Sequence, residues 1–170
     1  MNIFYTNEDP IVCADDHCSR HTNKMIVEYV QMLSTAHRIL NSDEYADQNG
    51  LYKSTHMNHP SARWVRECYQ NYEWLYQVFK QLCENYHKAT GKHHKTSRLL
   101  DALQYAPMGI KPRGAMTVPP MAMPDQYKKE NAVEAYREYV KSKYEDWKNR
   151  QRPLKIEWYQ GEPLKWVGVL

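Results

Sequence analysis

The sequence predicts an all-α fold: a compact single-domain bundle of three to four main helices over residues 1–170, with a Pro-rich loop at 107–124 and an extended C-terminal arm at 150–170. Three observations carry that prediction. Apolar residues recur at steps of three and four through long stretches. Strand-like alternation is confined to a few residues at the start. The 170 residues suffice for one sizeable core and show no repeat or composition shift that marks a second domain.

The elements follow in order. Residues 2–6, NIFYT, alternate weakly and read as a short strand, and Asn7 to Pro10 as a turn. A first helix spans about Cys13 or Asp16 to Leu40. Asn41 to Gly50 is polar and ends in Asn-Gly, a loop signal. The next helix opens at NHPSARW, where Asn58 or His59 can cap and Pro60 suits the first helical position. From Trp64 to Tyr86 its apolar positions keep the helical period for roughly six turns, and Gly91 ends it. Thr96-Ser97 can cap a short third helix, RLLDALQYA. Prolines at 107, 112, 119, 120 and 124 then exclude a long helix, and a loop of that length is usually functional or disordered. Asp125 can cap a fourth helix on the stripe Val133, Tyr136, Val140, Tyr144 and Trp147. The tail RPLKIEWYQGEPLKW is aromatic and Pro-broken, which suits an arm that packs back.

Composition narrows the function classes. The chain has 14 Tyr and 5 Trp against 2 Phe. Such rings bury while keeping a polar tip, and they also stack on bases. A net charge of +3 is compatible with a phosphate-bearing ligand and too small to argue for one. No apolar run reaches the length of a membrane span, and MNIFYTNEDP lacks the layout of a secretory signal. The expectation is a cytoplasmic protein with no membrane partner. Of the four cysteines, none forms a CxxC pair. Cys68 and Cys83 sit inside apolar helical patterns, which predicts buried free thiols.

The first helix carries the densest chemistry. In HTNKMIVEYVQMLSTAHR the residues His21, Lys24, Glu28, Gln31, Thr35 and Arg38 recur at steps of three and four and share one face. His17 extends the row backwards. A solvated face with a Lys24–Glu28 pair is the plain reading. Solvated faces favour Lys and Glu in bulk, however, and this row holds acid, base, cation and amide once or twice each. Lys24 is a candidate nucleophile or stabiliser, Glu28 a candidate base or cation stabiliser, and His21 and His59 candidate proton carriers.

The second helix offers Arg63, Trp64, Asn71 and Trp74, with His59 at its N-terminus, where free N–H groups attract anions. An Arg63–Glu67 surface pair explains part of this equally well. The stretch YHKATGKHHKTSR contains no acid and presents Lys92 and Lys95 as phosphate contacts, or as an ordinary basic loop. No histidine follows His94, so the reactive groups concentrate in the first half. A metal site is the rival: His17 and His21 have i,i+4 spacing, with Cys18, His56 or His59 to complete it. With no HExxH and no CxxC it ranks below the metal-free reading, which needs no cofactor.

Several stretches together resemble a known family. NIFY before DP, then HCSRH, KM with Glu28 three on, LSTAHR, LYKSTHMNHPSARWVRE, NYEWLY and PPMAMPDQY are similar to a family of small proteins found in tailed-phage genomes, over roughly residues 1–137. That resemblance implies a phage origin, and a host-cell cytoplasm, more than a reaction. In the order of its features the chain also resembles the small helical pyrimidine-dimer DNA glycosylases of the phage endonuclease V type. The counterparts are Lys24 with Glu28 or Gln31 in the first helix, His59 to Tyr86 with Gly91 in the second, and an arm from Gln151 to Gln160. The resemblance implies an all-α enzyme acting on a base extruded from duplex DNA. One departure matters. Those enzymes use the free amine of a small residue exposed by Met removal, and Asn2 hinders that removal, so the amine is not carried over.

Two functions from different classes follow. The first is cleavage of an N-glycosidic bond in DNA or a nucleotide. Lys24, Glu28, His21 and His59 would do the chemistry, and Gln31, Arg63, Trp64, Asn71, Trp74, Lys92 and Lys95 would bind substrate. The second is a non-catalytic module that sequesters a nucleotide or binds a host defence protein. Oligomeric state is not legible.

Overall fold

Helical periodicity becomes helix throughout the computed structural model, which describes residues 1–159 and 165–168. Seven α-helices and two short 3-10 turns follow one another, and no strand occurs among the described residues. None of the described helices is long and apolar enough to cross a membrane.

The predicted first helix is two. α1 runs Pro10–Asp15, with Pro10 in its first turn and Asp9 accepting from the N–H groups of Ile11 and Val12. α2 runs Ser19–Leu40. The break between them is held by the C-terminal arm. The Ser19 N–H donates to the Glu157 carbonyl at 2.7 Å, and the Trp158 indole donates to the Asp16 carbonyl at 3.2 Å. Backbone groups freed at a break need partners, and here a distant segment supplies them. The arm thus packs back as its aromatic content predicts, with Trp158 buried. Gln160 and residues 161–164 and 169–170 of that arm lie outside the described residues.

The predicted polar loop contains α3, Asp43–Gln48, capped by Ser42. Arg38 orients it, donating at 2.7 Å to both Asp43 and Asp47. The predicted second helix also divides, into α4 (Pro60–Val65) and α5 (Tyr69–Thr90). Again tertiary partners fill the gap: Asn71 donates to the Trp64 carbonyl, and the Tyr69 N–H to the Lys111 carbonyl. His59 is the cap of α4, and Gly91 ends α5 at φ 67° with its N–H on the His87 carbonyl. A 3-10 turn at Lys95–Leu99, capped by His94 rather than by Thr96 or Ser97, leads into α6, Leu100–Leu103. The 107–124 segment is irregular, as its prolines require. Gly109 lies so close to α2 that a Cβ would stand 2.6 Å from the Leu40 carbonyl oxygen. Asp125 begins only a 3-10 turn. α7, Ala132–Lys148, is capped by Asn131 instead.

α2 and α5 run antiparallel through the core. His37 near the end of α2 bonds Tyr72 near the start of α5, while the turn after α5 reaches Asn23 through His94. The N-terminal segment threads between α2 and α7, with Ile3, Phe4 and Tyr5 buried. It is irregular and pairs with no strand. Its N–H groups go to side chains instead: Asn2 to Glu28, Ile3 to the Asn2 carboxamide, and Phe4 to the Tyr29 hydroxyl. The short strand expected over residues 2–6 therefore does not form, since among the described residues no neighbouring strand offers a ladder.

Candidate functional site

The polar row of α2 splits by depth. At its C-terminal end, Thr35 and Arg38 are buried and structural. Thr35 accepts from the Thr55 N–H, its neighbour Ser34 from the Tyr52 N–H, and Arg38 donates to the Leu51 and Tyr52 carbonyls. Together they lay residues 51–55 along α2, and the chain then turns through His56, which adopts φ 47°. At the N-terminal end, His17 is a satisfied core histidine. Its Nδ1 donates to the Cys13 carbonyl, so its Nε2 accepts from the Tyr29 hydroxyl, both at 2.7 Å. With both nitrogens engaged, His17 has none left for an ion. Among the described residues no three His, Cys, Asp or Glu side chains gather as a metal cage. The four thiols are free and buried, as predicted.

The middle of the row is where reactive groups meet. The Glu28 side chain is only 14% exposed and takes three partners: the Lys24 ammonium at 3.3 Å, the α-amino group of Met1 at 3.8 Å, and the Asn2 N–H at 3.1 Å. His59 stands in the same electrostatic neighbourhood. Burial lowers its imidazole below the ordinary histidine range, the Met1 amino group and His56 lower it further, and Glu28 pulls the other way. Its Nδ1 accepts from the Ser61 N–H, so the neutral ring carries its proton on Nε2. Gln31 lies half-buried one turn further on the same face. Lys24 and the Met1 amino group thus flank the Glu28 carboxylate, and His59 feels its charge without a direct contact.

The other sequence candidates lie elsewhere. His21 is buried against Phe4, Tyr144 and Trp147, at ring distances of 4.7, 5.5 and 4.9 Å. Burial first, then the nearby His17, Lys143 and Lys24, hold its imidazole down to about 2. It is neutral at physiological pH, its ring serving as packing. Trp64 and Trp74 are buried edge to face at 6.0 Å. Their indoles donate to the Thr117 and Glu8 carbonyls, and the Asn71 carboxamide is closed by Trp64 and Thr117. These three side chains pin the Pro-rich segment and the N-terminal turn, and the Lys24 side chain opens on a cleft walled by Trp147 instead. Arg63 is exposed, donating to Asn58. Lys92 and Lys95 are exposed in the turn after α5, at the Asn23 end of α2.

The partner that sequence reasoning set aside is the Met1 amino group, and the structure brings it to Glu28. Its signal was present in the alternation of NIFYT, which predicts a buried segment that carries the amine with it. Fold and geometry together define an all-α bundle that carries a partly buried carboxylate beside two amines. No family model matches the chain, and no curated protein or solved structure matches it.

Proposed function

We propose that the chain cleaves the N-glycosidic bond of a base in DNA through an amine nucleophile assisted by Glu28. The observation that supports this is the Glu28 carboxylate, largely withdrawn from water, with two amine nitrogens 3.3 and 3.8 Å away. A deprotonated amine attacks C1′ of the deoxyribose. The C1′–N bond breaks, and the base leaves with the electron pair and takes up a proton. The sugar opens to an imine on the amine. A carboxylate at that distance stabilises the cationic sugar and the iminium. The proton that the attacking amine nitrogen releases goes through solvent to the departing base, and neutral His59 would donate a hydrogen bond to that base from Nε2. The extruded-base chemistry of the glycosylase resemblance agrees with this residue set.

The test is direct. Duplex DNA carrying damaged or modified bases is incubated with the protein, released base is measured, and borohydride is added to trap the imine. Peptide mapping then assigns the adduct to Met1 or to Lys24. Base release that disappears in Glu28→Gln supports the proposal. No release and no trapped adduct across the substrate panel overturns it, and a nucleotide recovered intact by native mass spectrometry would mark a binding module instead.

A further inference from the structure

A second candidate site opens one turn along α2 from Glu28. The first turns of α2 and the last turns of α7 diverge around a cleft of about 570 Å³, bordered by the tail at Leu154. Arg20 and Lys24 line one wall, Lys143, Trp147 and Arg150 the other, and Tyr127 one end. The one carboxylate lining it, Asp146, is held by Arg150 at 2.9 Å. Arg20 and Lys143 have no carboxylate partner among the described residues. Arg20 uses its Nε on the Lys155 carbonyl, and Lys143 rests over the Tyr139 ring at 4.2 Å while donating to its hydroxyl. Neutral His21 closes the cleft from below.

Cations that converge on a concave wall and outnumber its acids concentrate anions. The half-buried rings of Trp147 and Tyr127 add stacking faces, the combination by which proteins hold a nucleic-acid strand. Lys24 belongs both to this wall and to the Glu28 cluster. Since the helical rise per turn is about 5.4 Å, a phosphodiester seated here lies within about one nucleotide of Glu28.

We infer that this cleft between α2 and α7 seats the phosphodiester backbone of the DNA strand next to the base being attacked. Arg20, Lys143 and Arg150 contact the phosphates, and Trp147 and Tyr127 support a neighbouring base. The inference rests on the DNA reading above, and it places the strand on a surface of α7 that the sequence candidates did not include. Lys143 and Trp147, four apart, share one face of α7 by the same signal that singled out α2, and Arg150 follows just beyond the end of the helix.

The experiment measures binding apart from turnover. Fluorescence anisotropy of a labelled duplex oligonucleotide is titrated with wild type, with Lys143→Gln/Arg150→Gln and with Glu28→Gln, from about 50 to about 200 mM salt. Both changed lysine and arginine side chains are surface groups, and circular dichroism checks that the double variant is folded. The expected result is that the slope of log affinity against log salt falls by about 2 in the double variant, with affinity at least tenfold weaker at low salt, while Glu28→Gln, which frees Lys24 from its carboxylate, binds no more weakly than wild type. Unchanged affinity and slope in the folded double variant overturn the inference. So does a cleft that binds dAMP while duplex DNA neither binds nor competes. The two readings fail separately: base release with unaltered binding in the double variant sinks the cleft alone, and cleft-dependent binding without base release sinks the glycosidic chemistry alone.

Discussion

The Glu28 carboxylate accepts the Asn2 N–H at 3.1 Å and stands 3.8 Å from the Met1 amino group. One side chain therefore both anchors the N-terminal segment and holds a primary amine beside a carboxylate. The two roles separate by substitution. Glu28→Gln keeps an oxygen acceptor for the Asn2 N–H and should leave thermal stability nearly unchanged. The base release proposed above should fall about a hundredfold or more. Glu28→Ala loses the charged acceptor and should be destabilised by about 1.5–3 kcal/mol, read in a urea titration. Equal stability in Gln and Ala variants would remove the anchoring role.

Much of this arrangement was legible in the sequence, and the exceptions share a cause. Helices, the Gly91 terminus, the His59–Pro60 start and the irregular 107–124 segment all follow from local chemistry. The breaks at Asp16–Cys18 and Arg66–Cys68 carry no glycine or proline. They exist because Glu157, Trp158, Asn71 and Lys111 arrive from elsewhere to take the freed backbone groups. α3 forms inside a polar stretch under its Ser42 cap, and Arg38 orients it through two of its aspartates. Periodicity placed Lys24 and Glu28 on one face. It could not tell that Trp64 on α4 and Asn71 and Trp74 on α5 would turn inward to pin loops.

Stability should fall steeply with acidification. Burial holds His17 and His37 down to about 4 and His21, with help from neighbouring charges, to about 2. An unfolded chain protonates them near the ordinary value of about 6.5. Between those values the unfolded state binds more protons, so stability is full above about pH 6.5 and is lost as pH falls toward 4. Asp16 works in the opposite sense, because burial raises its carboxyl, and it offsets part of the loss. Urea unfolding at a series of pH values should show an uptake of two to three protons near pH 5, roughly one for each histidine. Replacing His17 by Gln should remove about one of them, and a flat profile from pH 7 to 4.5 would contradict the buried neutral imidazoles.

The Pro-rich segment should come loose when Asn71 is changed. Asn71 is fully buried, and its carboxamide donates to the Trp64 carbonyl and to the Thr117 hydroxyl while accepting the Thr117 N–H. Asn71→Leu fills similar volume and strands the Thr117 N–H and hydroxyl, while the Trp64 carbonyl keeps the Glu67 N–H. Each stranded group costs about 1–3 kcal/mol, partly relieved if the segment lifts into water. Limited proteolysis is the sharper measurement: cleavage within 107–124 should be much faster in the variant than in wild type. Protection equal to wild type would show that the prolines and Gly109 hold the segment alone.

Arg38 decides whether the 51–55 segment stays on α2. Its side chain is 3% exposed and reaches the Leu51 and Tyr52 carbonyls, Asp43 and Asp47. The two aspartates are largely solvated, so the ion pairs themselves contribute little. The carbonyls matter more, since a planar guanidinium reaches several acceptors at once and an ammonium does not. Arg38→Lys should therefore be destabilising, on the order of 2 kcal/mol, despite conserving charge. Because the same segment leads into His56 and His59, the variant should also slow base release while Glu28 and Lys24 are intact. Hydrogen exchange over residues 51–59 separates the causes: faster exchange there, with α5 still protected, is the expected pattern, and uniform exchange would point to global unfolding instead.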